Sequence, residues 1–166
     1  SLAIIAVAAI GETLVLLTGG IDVSLGSVIS CTSVISATVM ASTHNPLLGI
    51  VTALILGIVF GILNGFAVGI LGLTPFVMTL GTHLVARGIA FTVSRGIAVT
   101  GVPNSVASLG FKNILGIPFT ALVAICMFLI MIVLLRKTNW GRKVYLVGSN
   151  ESAGRYVGIK SKLILV

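Results

Sequence analysis

Charge is what this sequence has least of: three acidic and ten basic residues among 166, so that 8% of the chain is charged, against roughly a quarter in soluble domains. That shortage excludes a water-soluble globule. Two cysteines and two histidines exclude a disulfide framework, and with Cys31 and Cys126 inside apolar runs and His44 and His83 on different predicted elements they suggest no metal site. No GxxxxGK[ST] loop occurs, so the amides and lysine that cradle a nucleotide's phosphates are missing and no cofactor is expected. The net charge of +7 is too unevenly spread to read as a nucleic-acid surface.

What fills the chain is apolar: 57% hydrophobic residues and a mean hydropathy of +1.25. Crossing a hydrocarbon core of about 30 Å takes roughly 20 helical residues. Residues 23–42, 47–73 and 116–135 hold no Asp, Glu, Lys or Arg, and 2–17 and 75–94 are equally apolar apart from Glu12 and Arg87. The expected fold is therefore all-α, a polytopic membrane bundle with five membrane helices. The chain opens almost inside a helix and closes on an apolar stretch from Leu163 to Val166, which reads as an internal fragment of a longer protein.

Residues 136–162 carry Arg136, Lys137, Arg142, Lys143, Arg155, Lys160 and Lys162 against Glu151 alone. Basic connections stay in the cytoplasm, so 116–135 runs inward and the others alternate. Residues 95–115 then form an external loop, 43–46 an external turn, and the connection at Thr74 a cytoplasmic one. Asn45-Pro46 and Thr74-Pro75 pair a capping side chain with proline at the first helical position, and Ile117-Pro118 supplies proline without the cap. On 47–73, Gly49, Ala53, Gly57, Gly61, Gly65 and Gly69 recur every fourth residue. Small ridges allow close helix approach where lipid removes the hydrophobic drive for association, and this helix is expected to be central.

Asp22 stands in GGIDVSLGS, residues 19–27. An ionised carboxylate at the bilayer centre costs at least about 3 kcal/mol, so it needs water, a partner or a buried helix end. Gly19 and Gly20 permit a sharp turn, after which Asp22 or Ser24 accepts hydrogen bonds from the N–H groups opening the next helix. Asp22 either lines a wet passage or caps that helix at the interface. Glu12 lies across the turn with nothing in the sequence to bring it to Asp22, and Thr13 and Thr18 are its and Asp22's nearest local donors. Thr79, Thr82, His83 and Arg87 form a polar stripe that should turn from lipid, Arg87 snorkelling or answering Asp22 or Glu12. Asn150 suits an N-cap, Glu151 a helix start and Gly158 a stop, outlining a short amphipathic helix across the inner face.

Three stretches in order, GGIDVSLGS (19–27), NGFAVGILGLTPFVMTLGTHLVARGIA (64–90) and TNWGRKVYLVGSNESAGRYVGI (138–159), resemble the monosaccharide permeases of ABC importers. The resemblance implies one permease transmembrane domain over residues 1–166, about half a permease, multi-pass in the bacterial inner membrane, with 136–162 as the loop coupling it to an ATPase. Gly141, Arg142, Tyr145, Gly148, Asn150, Glu151, Ala153, Gly158 and Ile159 match the family's coupling pattern; Leu146, Ser149, Gly154 and Val157 depart from it. It further implies a non-enzymatic subunit that forms the path for a sugar. The expected partners are a cytoplasmic ATP-binding subunit, an extracytoplasmic sugar-binding protein, a second permease copy as homodimer, and membrane lipid, with no nucleic acid. A neutral sugar calls for many weak hydroxyl contacts, and Asp22, Ser24, Asn64, Thr79, Thr82 and Arg87 are the candidates for the path or its support. Gly57, Gly61, Gly65 and Gly69 are candidates for helix packing. An ion-coupled secondary transporter also uses broken helices with an acidic group, a nucleoside permease shares the plan, and an intramembrane enzyme lacks here a carboxylate pair, metal cluster or nucleophile with its base.

Overall fold

The computed structural model describes residues 2–114 and 116–149. The helix expected from Asn150 through Glu151 and Ala153 to Gly158 and Ile159 lies outside the described residues. The chain is an all-α bundle of α1 (Leu2–Leu17), α2 (Leu25–Thr43), α3 (Pro46–Gly69), α4 (Pro75–Ser94), a short α5 (Asn104–Ala107), α6 (Phe119–Lys137) and α7 (Asn139–Ser149). Four of these, α2, α3, α4 and α6, are long and apolar enough to cross a membrane, and α1 is a shorter apolar helix.

The helix starts follow local chemistry. Asn45 accepts a hydrogen bond from Leu47 N at 3.0 Å, ahead of Pro46 at the first position of α3. Pro75 opens α4 in the same way, although the Thr74 side chain makes no cap bond. Pro118 sits one place earlier than expected, at the cap of α6. The expected helix over 47–73 is too long: α3 stops at Gly69, and Gly72 takes φ +73° to turn the chain toward Pro75. The external loop of the sequence reading holds α5, a single 3-10 turn over Ser108–Gly110, and a two-residue hairpin pairing Asn113 with Pro118 and Ile114 with Ile117.

The bundle centre corrects one expectation. α2, not α3, lies between neighbours, packed on both α3 and α4. Its buried residues are Ser27, Cys31, Ser36 and Met40, and Ala86 and Ala90 of α4 close on Cys31, with Val28, Val34, Ile35 and Phe60 around them. The ridge on α3 cannot serve as one straight seam. A four-residue step overshoots a 3.6-residue turn by about 40°, so six such positions wrap about 200° around the axis. Gly49, Gly65 and Gly69 are buried while Gly57 and Gly61 face outward. The outer surface is lined by large apolar residues such as Leu54, Ile58 and Ile62 of α3 and Phe128 and Val133 of α6, as lipid requires.

The helix ends form two poles. Gly20 packs within 3.5 Å of the Pro75 ring when given a Cβ, and α7 folds back on the end of α1. The turn after α1, the connection into α4 and α7 therefore share one pole, here the α7 pole. At the other, Gly101 lies against Ala41 near the end of α2.

α7 is the element that the sequence reading did not foresee. It is amphipathic, with Gly141, Val144 and Val147 buried and Arg142, Lys143, Tyr145 and Leu146 exposed. Its start is capped: Thr138 Oγ1 accepts from Gly141 N at 3.2 Å. Thr138 followed by Gly141, Val144 and Val147 at three-residue spacing was the available signal.

Candidate functional site

α1 ends in a Schellman turn. Gly20 N donates to Val15 O and Gly19 N to Leu16 O, both at 3.0 Å, with Gly19 at φ +82°, a conformation glycine adopts without steric cost. The chain then crosses to α2 through Ile21, Asp22 and Val23, where backbone donors lose their helical partners.

Asp22 answers that need at close range. Its Oδ1 accepts from Ser24 N at 2.7 Å and from Ser24 Oγ at 2.6 Å, a turn that aspartate forms readily with the residue two ahead. Ser24, at the N-cap of α2, makes no side-chain cap bond, and Asp22 reaches only Ser24, so neither side chain accepts from an N–H of α2 as expected. The Ser24 hydroxyl instead accepts from Asn64 Nδ2 of α3 at 3.2 Å. Asn64 Oδ1 in turn accepts from Thr82 Oγ1 of α4 at 2.5 Å. Val23 N donates to Thr79 Oγ1 at 3.2 Å, and Thr79 lies 3.4 Å from Ile21 O and 3.3 Å from Phe76 O as alternative acceptors.

Five of the six path candidates thus meet in one hydrogen-bonded knot joining the turn to α3 and α4. Ser24, Thr79 and Thr82 are buried in it. The sixth does not join. Arg87 is exposed, and Asp22 takes its donors from Ser24 rather than from a guanidinium. Thr79 and Thr82 stand four and seven residues inside α4 and Asn64 five from the end of α3, which places the knot about 6 to 10 Å in from the α7 pole at 1.5 Å per residue. Asp22 therefore lies well away from the middle of the bundle.

Glu12 is the member that sequence reasoning missed. Its Oε1 accepts from the backbone N of Asp22 at 3.2 Å, tying α1 to the segment beyond the turn. Thr13 and Thr18, expected as local partners, bond instead to Ala9 O and Val15 O of their own helix, the cheap solution for a hydroxyl inside α-helix. Glu12 Oε2 is buried with no hydrogen-bond partner among the described residues. Only the fold-back of the Schellman turn brings positions 12 and 22 together, and no spacing rule encodes it.

Of the coupling candidates, Gly141 is buried at the start of α7, Arg142 and Tyr145 are exposed on it, and Gly148, itself exposed, lies with its Cα against the Leu17 carbonyl at the end of α1. Asn150, Glu151, Ala153, Gly158 and Ile159 lie outside the described residues.

The model of the branched-chain amino acid transport system / permease component family matches residues 1–166. The chain belongs to this permease family. Among curated relatives, this permease is 42% identical to the ribose import permease protein RbsC of Bacillus subtilis over 92% of the chain and 48% of the relative. It is 39% identical to the fructose import permease protein FruF of Bifidobacterium longum, over 95% of the chain and 45% of the relative. It is 33% identical to the L-arabinose transport system permease protein AraH of Escherichia coli, over 95% and 49%. The permease chain spans about half the length of these relatives. No solved structure matches it. Family and helices together make it a multi-pass protein of the inner membrane.

Proposed function

We propose that this permease chain is the membrane-spanning half-domain of an ATP-driven importer of a monosaccharide, in the class of ribose, fructose or arabinose. The observation that carries the reading is the 42% identity to a ribose import permease across 92% of the chain. The α7 pole is cytoplasmic in this scheme: Arg136, Lys137, Arg142 and Lys143 gather there, as retained loops require. A cytoplasmic ATP-binding subunit engages residues 136–162, an extracytoplasmic sugar-binding protein delivers the sugar, and a second permease copy completes the path. Gly57 and Gly61, open on α3, are positions where another helix can approach closely.

Within this scheme the Asp22 knot supports the path and does not line it. A sugar is held by unpaired donors and acceptors, yet Ser24, Asn64 and Thr82 already answer one another and Thr79 accepts from Val23 N. Breaking those bonds to admit a sugar hydroxyl would leave buried groups unsatisfied at about 1–3 kcal/mol each.

Reconstituting the full permease with its ATPase subunit and binding protein in proteoliposomes tests the proposal. Uptake of labelled monosaccharide is expected with ATP inside and without an ion gradient. Uptake driven by a proton or sodium gradient alone would assign a secondary transporter, and uptake of a nucleoside in preference to free sugars would move the substrate class.

A further inference from the structure

We propose that Gly148 is the bearing point through which movement of α7 reaches the Asp22 turn, making it a positioning residue for coupled transport; this rests on the ATP-driven reading above. The contact is backbone against backbone. A Cβ at Gly148 would overlap the Leu17 carbonyl oxygen and stand 3.4 Å from Thr18 Cα. A glycine hydrogen therefore points at the last carbonyl of α1, a Cα–H···O approach with no flexible side chain between the two helices. Alanine is the better helix former, so the close approach, not helix stability, accounts for glycine at this place.

The rest of α7 is built to keep that contact. Val144 and Val147 are buried on the same side and Gly141 closes on the carbonyls of Leu134 and Leu135 in α6, while Arg142, Lys143, Tyr145 and Leu146 face outward. One side of α7 is free for a cytoplasmic partner and the other is seated on the bundle.

Beyond Leu17 the connections are short. Thr18 N is held by Leu14 O and Val15 O, and Gly19 and Gly20 are pinned by the Schellman bonds. Glu12, from the same helix, holds Asp22 N, so the last turns of α1 and the segment to Asp22 form one body. From there Asp22–Ser24–Asn64–Thr82 and Val23–Thr79 reach α2, α3 and α4. Displacement of α7 against Leu17 is passed to three membrane helices through directional bonds rather than through mobile apolar side chains.

The test uses the complete importer in proteoliposomes and measures sugar taken up per ATP hydrolysed, alongside basal ATPase activity and co-purification of the ATPase subunit. Gly148→Ala is expected to lower uptake per ATP by about fivefold or more, the low end of coupling between sites, and Gly148→Leu to lower it further. Gly88→Ala, where an added Cβ meets open space, is expected to change nothing. Full coupling in an assembled Gly148→Ala importer would overturn the inference. If that variant fails to assemble, Val144→Ala, which thins the buried side of α7 without adding a wedge, must lower uptake per ATP, and unchanged coupling there would equally overturn it. Loss of ATP-driven uptake in the unmodified importer would instead sink the permease reading itself.

Discussion

The two poles of the bundle use the same polar residue types in opposite ways. At the α7 pole, Asn64 bridges Ser24 and Thr82, and Thr79 takes Val23 N, so serine, threonine and asparagine join one helix to another. At the opposite pole Ser42 and Thr43 donate to Val39 O, Asn45 accepts from Leu47 N, and Ser94 serves Phe91 O and Gly96 N, all within their own segment. The difference shows that hydroxyls and an amide of these types can be satisfied within their own segment. They become interhelical ties only where the backbone itself, here broken between α1 and α2, leaves groups that local partners cannot satisfy.

Breaking the α7 pole at its centre has the largest expected effect. Asp22→Ala strands Ser24 N and Ser24 Oγ and removes two bonds to a carboxylate; at roughly 1.5–3 kcal/mol for a bond to a charged group, destabilisation by about 3 kcal/mol is expected in detergent unfolding. Asp22→Asn, which keeps an acceptor at Oδ1, is expected to recover more than half of it. An Asp22→Ala protein as stable as Asp22→Asn would deny the knot its central role.

Next comes Asn64→Ala, which removes two interhelical bonds. Such bonds in membrane proteins average about 0.6 kcal/mol and reach about 1.7, so a loss of about 1–2 kcal/mol is expected. Combined with Asp22→Ala in a double-mutant cycle it should be non-additive by at least about 0.5 kcal/mol, because both act on Ser24. Strict additivity would mean that the network does not behave as a unit.

At the opposite pole, Asn45→Ala removes one cap bond and is expected to cost about 1 kcal/mol, adding independently to Asn64→Ala. Smallest of all, Thr43→Val, whose hydroxyl only returns to Val39 O, should stay within about 0.5 kcal/mol of the parent. A cost there as large as that of Asn64→Ala would erase the contrast between the poles.

Much of this was legible residue by residue. The membrane helices follow from charge-free runs, and Pro46 and Pro75 mark their starts to the residue because proline needs no donor there. Asp22, Ser24, Asn64, Thr79 and Thr82 stood out as polar groups in apolar surroundings, and the fold brings all five together. Arg87 stood out on the same grounds and remains outside, since a long cationic side chain can reach a polar phase on its own. Glu12 stood out as a second carboxylate and Gly148 as a coupling candidate, but their contacts were not legible. Their roles depend on contacts with Asp22 and Leu17, at sequence separations for which helical periodicity carries no information.

The amino-acid sequence by itself determined that this chain lives in lipid, where its helices begin, and which pole carries its basic residues, because those properties are sums and spacings along one segment. The tertiary structure alone decided that α2 and not the glycine-ridged α3 takes the centre, that a broken turn ties three helices through Asp22, and that α7 rests on the last carbonyl of α1. Those outcomes depend on which surfaces meet. A ridge of small residues permits close approach without naming its neighbour, and a half-buried carboxylate demands donors without saying which residue will supply them.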